Sequence, residues 1–297
     1  MEQSLLASGA GVAAGLSFGE LTPETRAGES PRPAAGGAAA KNLPTGQIGK
    51  LAISRLICGG NLFSGHAHSR DLIYVAALMK EYFTPEKIMD TLQTCEEHGI
   101  NAAILRCDQH IIGVLKRYRK ERGGKIQWIA QTYPTATDTT NIKLAIDNGA
   151  VGAFPQGGIG DQLVGAGKLD AIGKIIAFIR QNGLAAGVGS HSLDVPRTVE
   201  KQGLAPDFYF KTFNAVGYNS QPPGEIAEFM ATVAKPWIAF KVLGAGVVKP
   251  RAGFSLALQN GADFLAVGMF DFQVREDVKI VADLLAGDLQ RQRPWRY

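Results

Sequence analysis

Four of the five histidines in this chain of 297 residues follow segments that have the composition of buried strands. Imidazole is the commonest metal ligand in proteins and the usual acid or base near neutral pH. They are His66 and His68, which stand one residue apart in GGNLFSGHAHSRD (59–71), His110 and His191. In an extended backbone His66 and His68 would project to the same side and could bind one ion together. The histidines therefore predict either a metal site or an acid–base site.

Carboxylates near the same segments complete two candidate sites. Divalent metal ions are commonly bound by imidazole nitrogen together with carboxylate oxygen, which makes Asp271 the acidic member of a metal site. Asp108, with His110 and His191, forms a candidate acid–base group, because proton transfer needs such side chains within reach of a substrate. The alternative is that these loop residues are surface residues or substrate contacts. The predicted metal ligands are His66, His68, His191 and Asp271.

Together these residues favour an enzyme. The predicted chemistry is a metal-assisted or His/Asp acid–base reaction of a lyase, isomerase or hydrolase. The substrate would be a small polar molecule, carbohydrate-like or carbonyl-bearing. The alternative from a different class is a protein that binds such a ligand without turnover.

Two lysines near the ends of apolar segments suggest a third kind of chemistry. Lys211 lies in DFYFKTFN (207–214) and Lys241 in WIAFKVLG (237–244). Burial would lower the pKa of either amine and make it a candidate catalytic nucleophile for Schiff-base chemistry. The FKT motif, with a second lysine in the next such segment, is similar to class I aldolases of the deoxyribose-phosphate type. The alternative is a lysine that pairs with an anionic substrate or a neighbouring aspartate.

The elements that carry these residues repeat as one unit from residue 50 onward. A short apolar run is followed by a polar loop and then by a stretch with helical periodicity. Some helical stretches carry clear boundary signals, such as Thr84 before Pro85 at a start and Gly99 at an end. The apolar runs span 55–60, 101–106, 126–131, 150–155, 184–189, 207–212, 237–242 and 263–268. The helical stretches span 84–99, 109–124, 139–149, 168–183, 194–203, 222–235, 250–261 and 273–287.

Eight such units predict an α/β fold of the (β/α)8 TIM-barrel class. The apolar runs are continuous, as in parallel strands that are buried on both faces. A doubly wound open sheet is the alternative, but no GxGxxG follows the first run. Active sites of such barrels lie at the C-terminal ends of the strands. Four of the five histidines fall at that end, and the fifth, His98, ends the first helix at the opposite, structural end.

The chain resembles the aldo/keto reductases over about residues 44–286. LPTGQIGKLAISRLICGGNLF (43–63) is similar to their short N-terminal hairpin and first strand. LDAIGKIIAFIRQNGLAAGVGSHS (169–192) is similar to their fourth helix and fifth strand. The resemblance implies one barrel domain, with a hairpin that precedes the first barrel strand.

The catalytic tetrad of that family does not carry over. The resemblance places Ile104 where the reductases have an aspartate and Gln109 near their tyrosine. It places Gln131 at their lysine and Gln156 at their histidine. Because the tetrad donates a proton to a carbonyl while nicotinamide delivers hydride, the resemblance implies the fold more than the reaction. An NAD(P)H-dependent oxidoreductase with a relocated proton donor is an alternative.

Glycine-rich segments after the last two predicted strands are candidates for binding a cofactor phosphate. In KVLGAGVV (241–248) and VGMFDFQVRED (267–277), glycine backbone could approach an anion closely. NADP is the cofactor that this interpretation implies, as an alternative to the metal ion. The same glycines could also do no more than form tight turns. The predicted cofactor-binding residues are Gly244, Gly246, Gly268 and Arg275.

Composition argues against several classes of protein. The net charge of +4 is small for this length and no basic stripe is present, so a nucleic-acid partner is not expected. No apolar run approaches the roughly 18 residues that span a bilayer. The three cysteines lack CxxC spacing, which argues against a disulfide framework and a cysteine zinc site. A small-molecule substrate is the expected partner, and the oligomeric state is not indicated.

The N-terminal segment, residues 1–43, is predicted to lie outside a single barrel domain that spans 44–297. LLASGAGVAAGLSF (5–18) resembles the apolar region of an export signal of the twin-arginine type whose basic start is missing. This predicts a periplasmic or otherwise exported protein. If the segment is only a disordered Ala/Gly-rich tail, the protein is cytoplasmic.

Overall fold

Eight parallel strands close into a barrel that follows a short hairpin. The computed structural model describes residues 43–66 and 72–296. The hairpin consists of β1 (Thr45–Ile48) and β2 (Leu51–Ser54). The barrel strands are β3 (Leu56–Gly59), β4 (Ala102–Arg106), β5 (Gln127–Thr132), β6 (Gly152–Pro155), β7 (Ala185–Ser190), β8 (Phe208–Thr212), β9 (Trp237–Phe240) and β10 (Phe264–Gly268). They close in the order β10-β3-β4-β5-β6-β7-β8-β9, which confirms the predicted barrel and hairpin.

The helices pack around the barrel, and the eight predicted helical stretches are all present. Thr84 caps α2 as predicted, since its Oγ1 accepts the backbone N–H of Lys87 at 3.2 Å. The described helices are α1 (Val75–Tyr82), α2 (Pro85–Glu97), α3 (Gln109–Arg122), α4 (Thr140–Asp147), α5 (Gly157–Gly165), α6 (Leu169–Gln181), α7 (Asp194–Lys201), α8 (Pro223–Thr232), α9 (Pro250–Gln259) and α10 (Asp271–Ala286). Of these, α1 and α5 lie outside the eight-unit pattern.

Two hydrophobic cores share the strands. Alternate strand residues such as Phe208, Phe210 and Ile238 fill the barrel interior. The residues between them, such as Tyr209 and Trp237, pack outward against the helices. Burial of both strand faces explains the continuous apolar runs, and each large apolar side chain contributes roughly 1.5–3 kcal/mol when it is fully buried.

Helix α5 was not predicted because its sequence, GGIGDQLVG, contains four glycines, which have low helix propensity. Two tertiary features stabilise it. The Gln156 side chain caps its first turn by accepting the backbone N–H groups of Gly158 and Ile159 at 2.8 and 3.3 Å. Gly160 packs so closely on β7 that a β-carbon there would lie 2.0 Å from the carbonyl oxygen of Gly189. The glycines thus allow a close contact between α5 and the barrel.

The end of the barrel opposite the strand C-termini is closed by polar and apolar contacts. Ile48 and Ile53 of the hairpin belong to the inner core. Asp263, which precedes β10, is fully buried and forms ion pairs with Arg291 and Arg293 of the C-terminal segment. This end is therefore a structural closure.

Some predictions fall outside the described residues. The export-signal or tail segment does so for residues 1–42, and so does His68. Among the helices of the described ranges, none is long and apolar enough to cross a membrane. The three cysteine thiols are buried and free, as the spacing of the cysteines suggested.

Candidate functional site

A cavity of about 650 Å³ opens at the carboxyl ends of the barrel strands. Phe210 and Phe240 stack within it, with ring centroids 3.9 Å apart. Among its described lining residues there is no aspartate or glutamate. The lining side chains that are charged or carry an imidazole are His66, Arg106, His191 and Lys241. The cavity is the candidate active site, and its wall carries positive charge.

Strand alternation explains how several of these residues reach the cavity. Ile104 of β4 lies in the barrel interior, so Arg106, two residues further along, lies on the same inner face. Gln131 of β5 and Gln156 after β6 line the cavity in the same way. Arg106 is not among the site residues predicted from the sequence. The period of two in AAILR was the signal that could have identified it.

The predicted catalytic residue His191 follows β7 and lines the cavity. Asp161 of α5 holds it, with Oδ2 lying 2.9 Å from Nδ1 of His191. The backbone N–H of His191 also donates to both carboxylate oxygens, at 3.0 and 3.1 Å, and the N–H of Ser192 donates at 2.9 Å. Within the described part of the chain, Nε2 has no hydrogen-bond partner. This nitrogen is the one left to exchange a proton with a ligand.

Lys241, the second predicted nucleophile, also lines the cavity. Phe240 faces the barrel interior, so continued alternation would turn Lys241 outward. Instead its φ of 58° places the backbone in the left-handed region, at a cost of about 1–2 kcal/mol for a residue with a β-carbon. Its Nζ lies 4.8 Å from the ring centroid of Tyr218 and has no carboxylate partner among the described residues. Burial lowers the pKa of Lys241 to about 8.

Lys211 does not line the cavity, which corrects its prediction as a catalytic residue. Phe208 and Phe210 face the barrel interior, so alternation turns Lys211 outward, where it is fully buried. Its Nζ donates to the carbonyl oxygen of His191 at 2.7 Å, to both oxygens of Thr212 at 3.0 and 3.1 Å, and to the Gln221 side chain at 3.2 Å. Burial lowers the pKa of Lys211 to about 7. Lys211 is thus a structural residue that supports the His191 backbone.

His66 lies at the rim of the cavity beside Arg106. Its Nε2 is 2.9 Å from Nη1 of Arg106. Partial burial, followed by the charges of Arg106 and Lys80, lowers the pKa of His66. The imidazole therefore favours its neutral form, in which Nε2 can accept a hydrogen bond from the guanidinium.

The described members of the predicted metal set do not come together. His66 contacts Arg106 and His191 contacts Asp161, as given above. The Asp271 carboxylate accepts hydrogen bonds from the hydroxyl of Tyr82 at 2.5 Å and from Nζ of Lys87 at 3.0 Å. Although burial opposes it, these two bonds lower the pKa of Asp271. Across the described residues, no three His, Cys, Asp or Glu side chains form a group that could hold an ion.

The rest of the predicted histidine chemistry is also changed by the structure. His68 lies outside the described residues, so its part in a metal site stays a prediction. His110 is exposed on α3 and does not line the cavity. Asp108 caps α3, since its Oδ1 accepts the backbone N–H of Ile111 at 2.9 Å, and its Oδ2 lies 3.2 Å from Nε of Arg106. Asp108 can therefore influence the cavity through Arg106 and not as a direct acid–base group.

The predicted cofactor-binding residues divide into two pairs. Gly246 and Gly268 line the cavity, and a β-carbon at Gly246 would meet no atom within 4 Å. Gly244 is buried, where a β-carbon would lie 2.4 Å from Cγ2 of Val216, and Arg275 is exposed on α10 away from the cavity. Only the first pair is placed where it could contact a phosphate group.

Three of the four positions that correspond to the reductase tetrad face the cavity but lack the side chains of the tetrad, and the fourth, Gln109, is exposed on α3 and does not line the cavity. Ile104, Gln131 and Gln156 all line the cavity. An aliphatic group and two amides cannot act as a tuned proton donor near neutral pH. The residues present therefore do not fit the proton transfer that accompanies hydride transfer in that family.

Comparison with known proteins supports the fold. The sequence matches no protein-family model and no curated protein. Among solved structures, the fold is similar to a provisionally assigned aldo-keto reductase of Pseudomonas aeruginosa (TM-score 0.62, 17% identity, 84% of this chain and 98% of that chain). A variant of Gox0644 in complex with NADPH is also similar (TM-score 0.54, 10% identity, 77% and 84%).

A third similar structure is part of a complex that is not described as an aldo-keto reductase. It is the BexX/CysO complex of Amycolatopsis orientalis (TM-score 0.50, 14% identity, 82% of this chain and 96% of that chain). At these identities the likeness concerns the barrel fold alone. The fold thus resembles that of aldo-keto reductase-like TIM barrels, at low sequence identity.

Proposed function

We propose that this protein is an enzyme that acts on a small carbonyl-bearing molecule through an imine formed on the Lys241 amine. The observation that carries the proposal is the placement of Lys241. It lines the cavity in a left-handed backbone conformation, partly buried, with no carboxylate partner in the described chain. Backbone strain of this kind is concentrated at functional sites.

The electrostatics of the cavity support a nucleophilic amine. With a pKa of about 8, roughly a tenth of the Lys241 side chains are neutral at pH 7, about 300-fold more than for an exposed lysine. The neutral nitrogen attacks the carbonyl carbon, and one of its protons moves to the carbonyl oxygen. A second proton, from an acid in the cavity, lets that oxygen leave as water and leaves a protonated imine. The Tyr218 ring, 4.8 Å from Nζ, would stabilise this cation.

His191 supplies the proton transfers in this proposal. Its Nε2 protonates the departing oxygen and then accepts a proton from the carbon next to the imine. Asp161 keeps Nδ1 occupied and the ring oriented, as in other acid–base histidines that a carboxylate positions. The products would be those of a lyase or isomerase reaction.

Borohydride trapping tests the proposal. The protein is incubated with glyceraldehyde near pH 7, sodium borohydride is added, and intact mass and peptide mapping locate the reduced adduct. We expect one adduct per chain at Lys241, absent in Lys241→Met. Lys249→Met is the matched control, because Lys249 is an exposed lysine of the same loop. An adduct that persists in Lys241→Met would overturn the proposal.

A nicotinamide-dependent reduction is the second candidate. Gly246 and Gly268 line the cavity, and one structure of similar fold holds NADPH. The proton donor would have to be His191 or Lys241, since the tetrad positions lack one. Calorimetric titration with NADPH tests this candidate, and the absence of binding at millimolar NADPH would contradict it.

A further inference from the structure

Arg106 presents its guanidinium to the cavity in a fixed orientation. The group lies over the ring of Tyr133, with Cζ 4.7 Å from the ring centroid. The hydroxyl of Tyr133 in turn accepts a hydrogen bond from the Gln131 amide at 2.7 Å. Asp108 holds Nε at 3.2 Å and His66 accepts from Nη1 at 2.9 Å. The side chain is therefore positioned on several sides before any ligand arrives.

The contacts around Arg106 leave part of its hydrogen-bonding capacity unused. A guanidinium carries five N–H donors, and the contacts with Asp108 and His66 engage one on Nε and one on Nη1. Among the described residues, none accepts a hydrogen bond from Nη2. A planar fork with free N–H groups is the geometry that binds carboxylate and phosphate oxygens in pairs.

The cavity around Arg106 favours an anion. Its described lining residues include the cations Arg106 and Lys241 but no carboxylate. Asp108 and Asp161 lie behind the wall, where they hold Arg106 and His191 without lining the cavity. A negative group in the cavity thus meets positive charge at close range, where the low local dielectric strengthens the attraction.

We infer that the substrate carries an anionic group, a carboxylate or a phosphate, which Arg106 binds across the cavity from the Lys241 amine. Arg106 ends β4 and Lys241 follows β9, and β10 and β3 lie between these strands around the barrel. The anion and the carbonyl therefore belong to separate ends of the molecule. The part of this inference that concerns the carbonyl end of the substrate rests on the proposed function.

Paired aldehydes test the inference by trapping on Lys241. Succinic semialdehyde is compared with butanal, and glyceraldehyde 3-phosphate with glyceraldehyde. We expect at least one anionic aldehyde to reach half-labelling at about tenfold lower concentration than its neutral partner. Which pair shows the larger difference identifies carboxylate or phosphate as the recognised group. Equal labelling within both pairs would overturn the inference.

Variants of Arg106 connect the preference to the guanidinium. Arg106→Gln should remove the preference, so that each anionic aldehyde labels only at the concentration that its neutral partner needs in the same variant. Arg106→Lys keeps the charge and the fold and should lose most of the preference, because an ammonium lacks the planar fork. Arg275→Gln, a change at an exposed arginine of α10, should behave as wild type. A preference that survives in both Arg106 variants contradicts the inference.

A second measurement does not depend on the imine. Calorimetry measures binding of succinate and of inorganic phosphate, neither of which can react with an amine as an aldehyde does. We expect binding of at least one anion in wild type and a Kd raised about tenfold in Arg106→Gln, with circular dichroism as the check on folding. If no aldehyde labels Lys241, the proposed function fails, but this binding result still decides the inference. Absent binding in wild type, or equal binding in Arg106→Gln, would overturn it.

Discussion

Asp161 binds the side chain and the backbone of His191 with one carboxylate. Its Oδ2 lies 2.9 Å from Nδ1, and the His191 backbone N–H donates to both of its oxygens. The backbone hydrogen bonds fix the position of the Asp161 carboxylate relative to His191. Rotation of the imidazole would therefore break its hydrogen bond to Asp161. The imidazole is therefore presented to the cavity by Nε2.

This arrangement predicts a division of labour between His191 and Lys241. In His191→Gln, we expect deuterium incorporation from D2O into the carbon next to the carbonyl of succinic semialdehyde to fall about 10²–10⁴-fold. Borohydride labelling of Lys241 should remain. Asp161→Asn should reduce the exchange less strongly, because Nε2 is retained but the ring is no longer held by a carboxylate. Nuclear magnetic resonance of the aldehyde measures the exchange.

The exposed Asp194 provides the control for this prediction. It begins α7 and forms hydrogen bonds with Ser192, whereas the hydrogen bonds to His191 come from Asp161. Asp194→Asn should leave the exchange unchanged. Exchange that continues at the wild-type rate in His191→Gln would show that another group moves the proton.

The pH dependence of labelling should report the buried amine of Lys241. Burial lowers its pKa from 10.5 to about 8. The neutral amine is the nucleophile, so the initial labelling rate should rise with pH, reach half its maximum near pH 8 and level off above that value. Rapid-quench labelling between pH 6 and 10 measures it. A midpoint above pH 10 would mean that the amine is exposed to water.

The left-handed backbone at residue 241 predicts an unusual order of stability. Both Lys241→Gly and Lys241→Ala remove the amine, but only alanine retains the cost of a β-carbon at a φ of 58°. After the entropy cost of glycine is subtracted, we expect the glycine variant to be more stable by about 1 kcal/mol. Urea unfolding measures the free energies. An alanine variant of equal or greater stability would show that the backbone relaxes.

Replacement of the buried Asp263 should cause the largest loss of stability among these variants. Its carboxylate accepts from the backbone N–H groups of Trp237 and Arg296, both at 2.9 Å, and pairs with Arg291 and Arg293. Asp263→Asn would leave two buried guanidinium groups without their counter-charge, so we expect a loss of about 3–5 kcal/mol in the free energy of unfolding.

A surface aspartate provides the comparison. Asp283 pairs with Arg251 and Lys279, all of them largely exposed. Asp283→Asn should cost less than about 1 kcal/mol, because exposed ion pairs contribute little. Losses of similar size in the two variants, measured by urea unfolding, would contradict the structural role assigned to Asp263.

The order and type of the barrel elements could be predicted from the sequence. Each of the eight strands is four to six residues long in the structure and overlaps one of the predicted apolar runs. Helix ends such as Thr84 and Gly99 carry local signals as well. These features depend on contacts within a few residues, and a sequence window contains the groups that make them.

The composition of the site depended on contacts between distant segments. Strand alternation places Arg106 inside and Lys211 outside, and it could have been read from the sequence once the inner face was known. Lys241 departs from that alternation because its backbone is left-handed. The neighbouring sequence VLGAG contains no signal that would predict this conformation at a lysine. Asp161 reaches His191 only because Gly160 lets α5 approach β7.

Local sequence therefore specified which segments are strands and helices, and that they form a barrel with its polar residues at one end. Which of those polar residues share a cavity was decided by closure of the barrel and by packing of α5 against it. The physical reason is that the hydrogen bonds and apolar pattern that define a strand or a helix involve residues close together in the sequence, whereas the contacts in the cavity join distant ones. The meeting of His191 with Asp161 joins residues 30 positions apart, and that of Arg106 with His66 joins residues 40 apart.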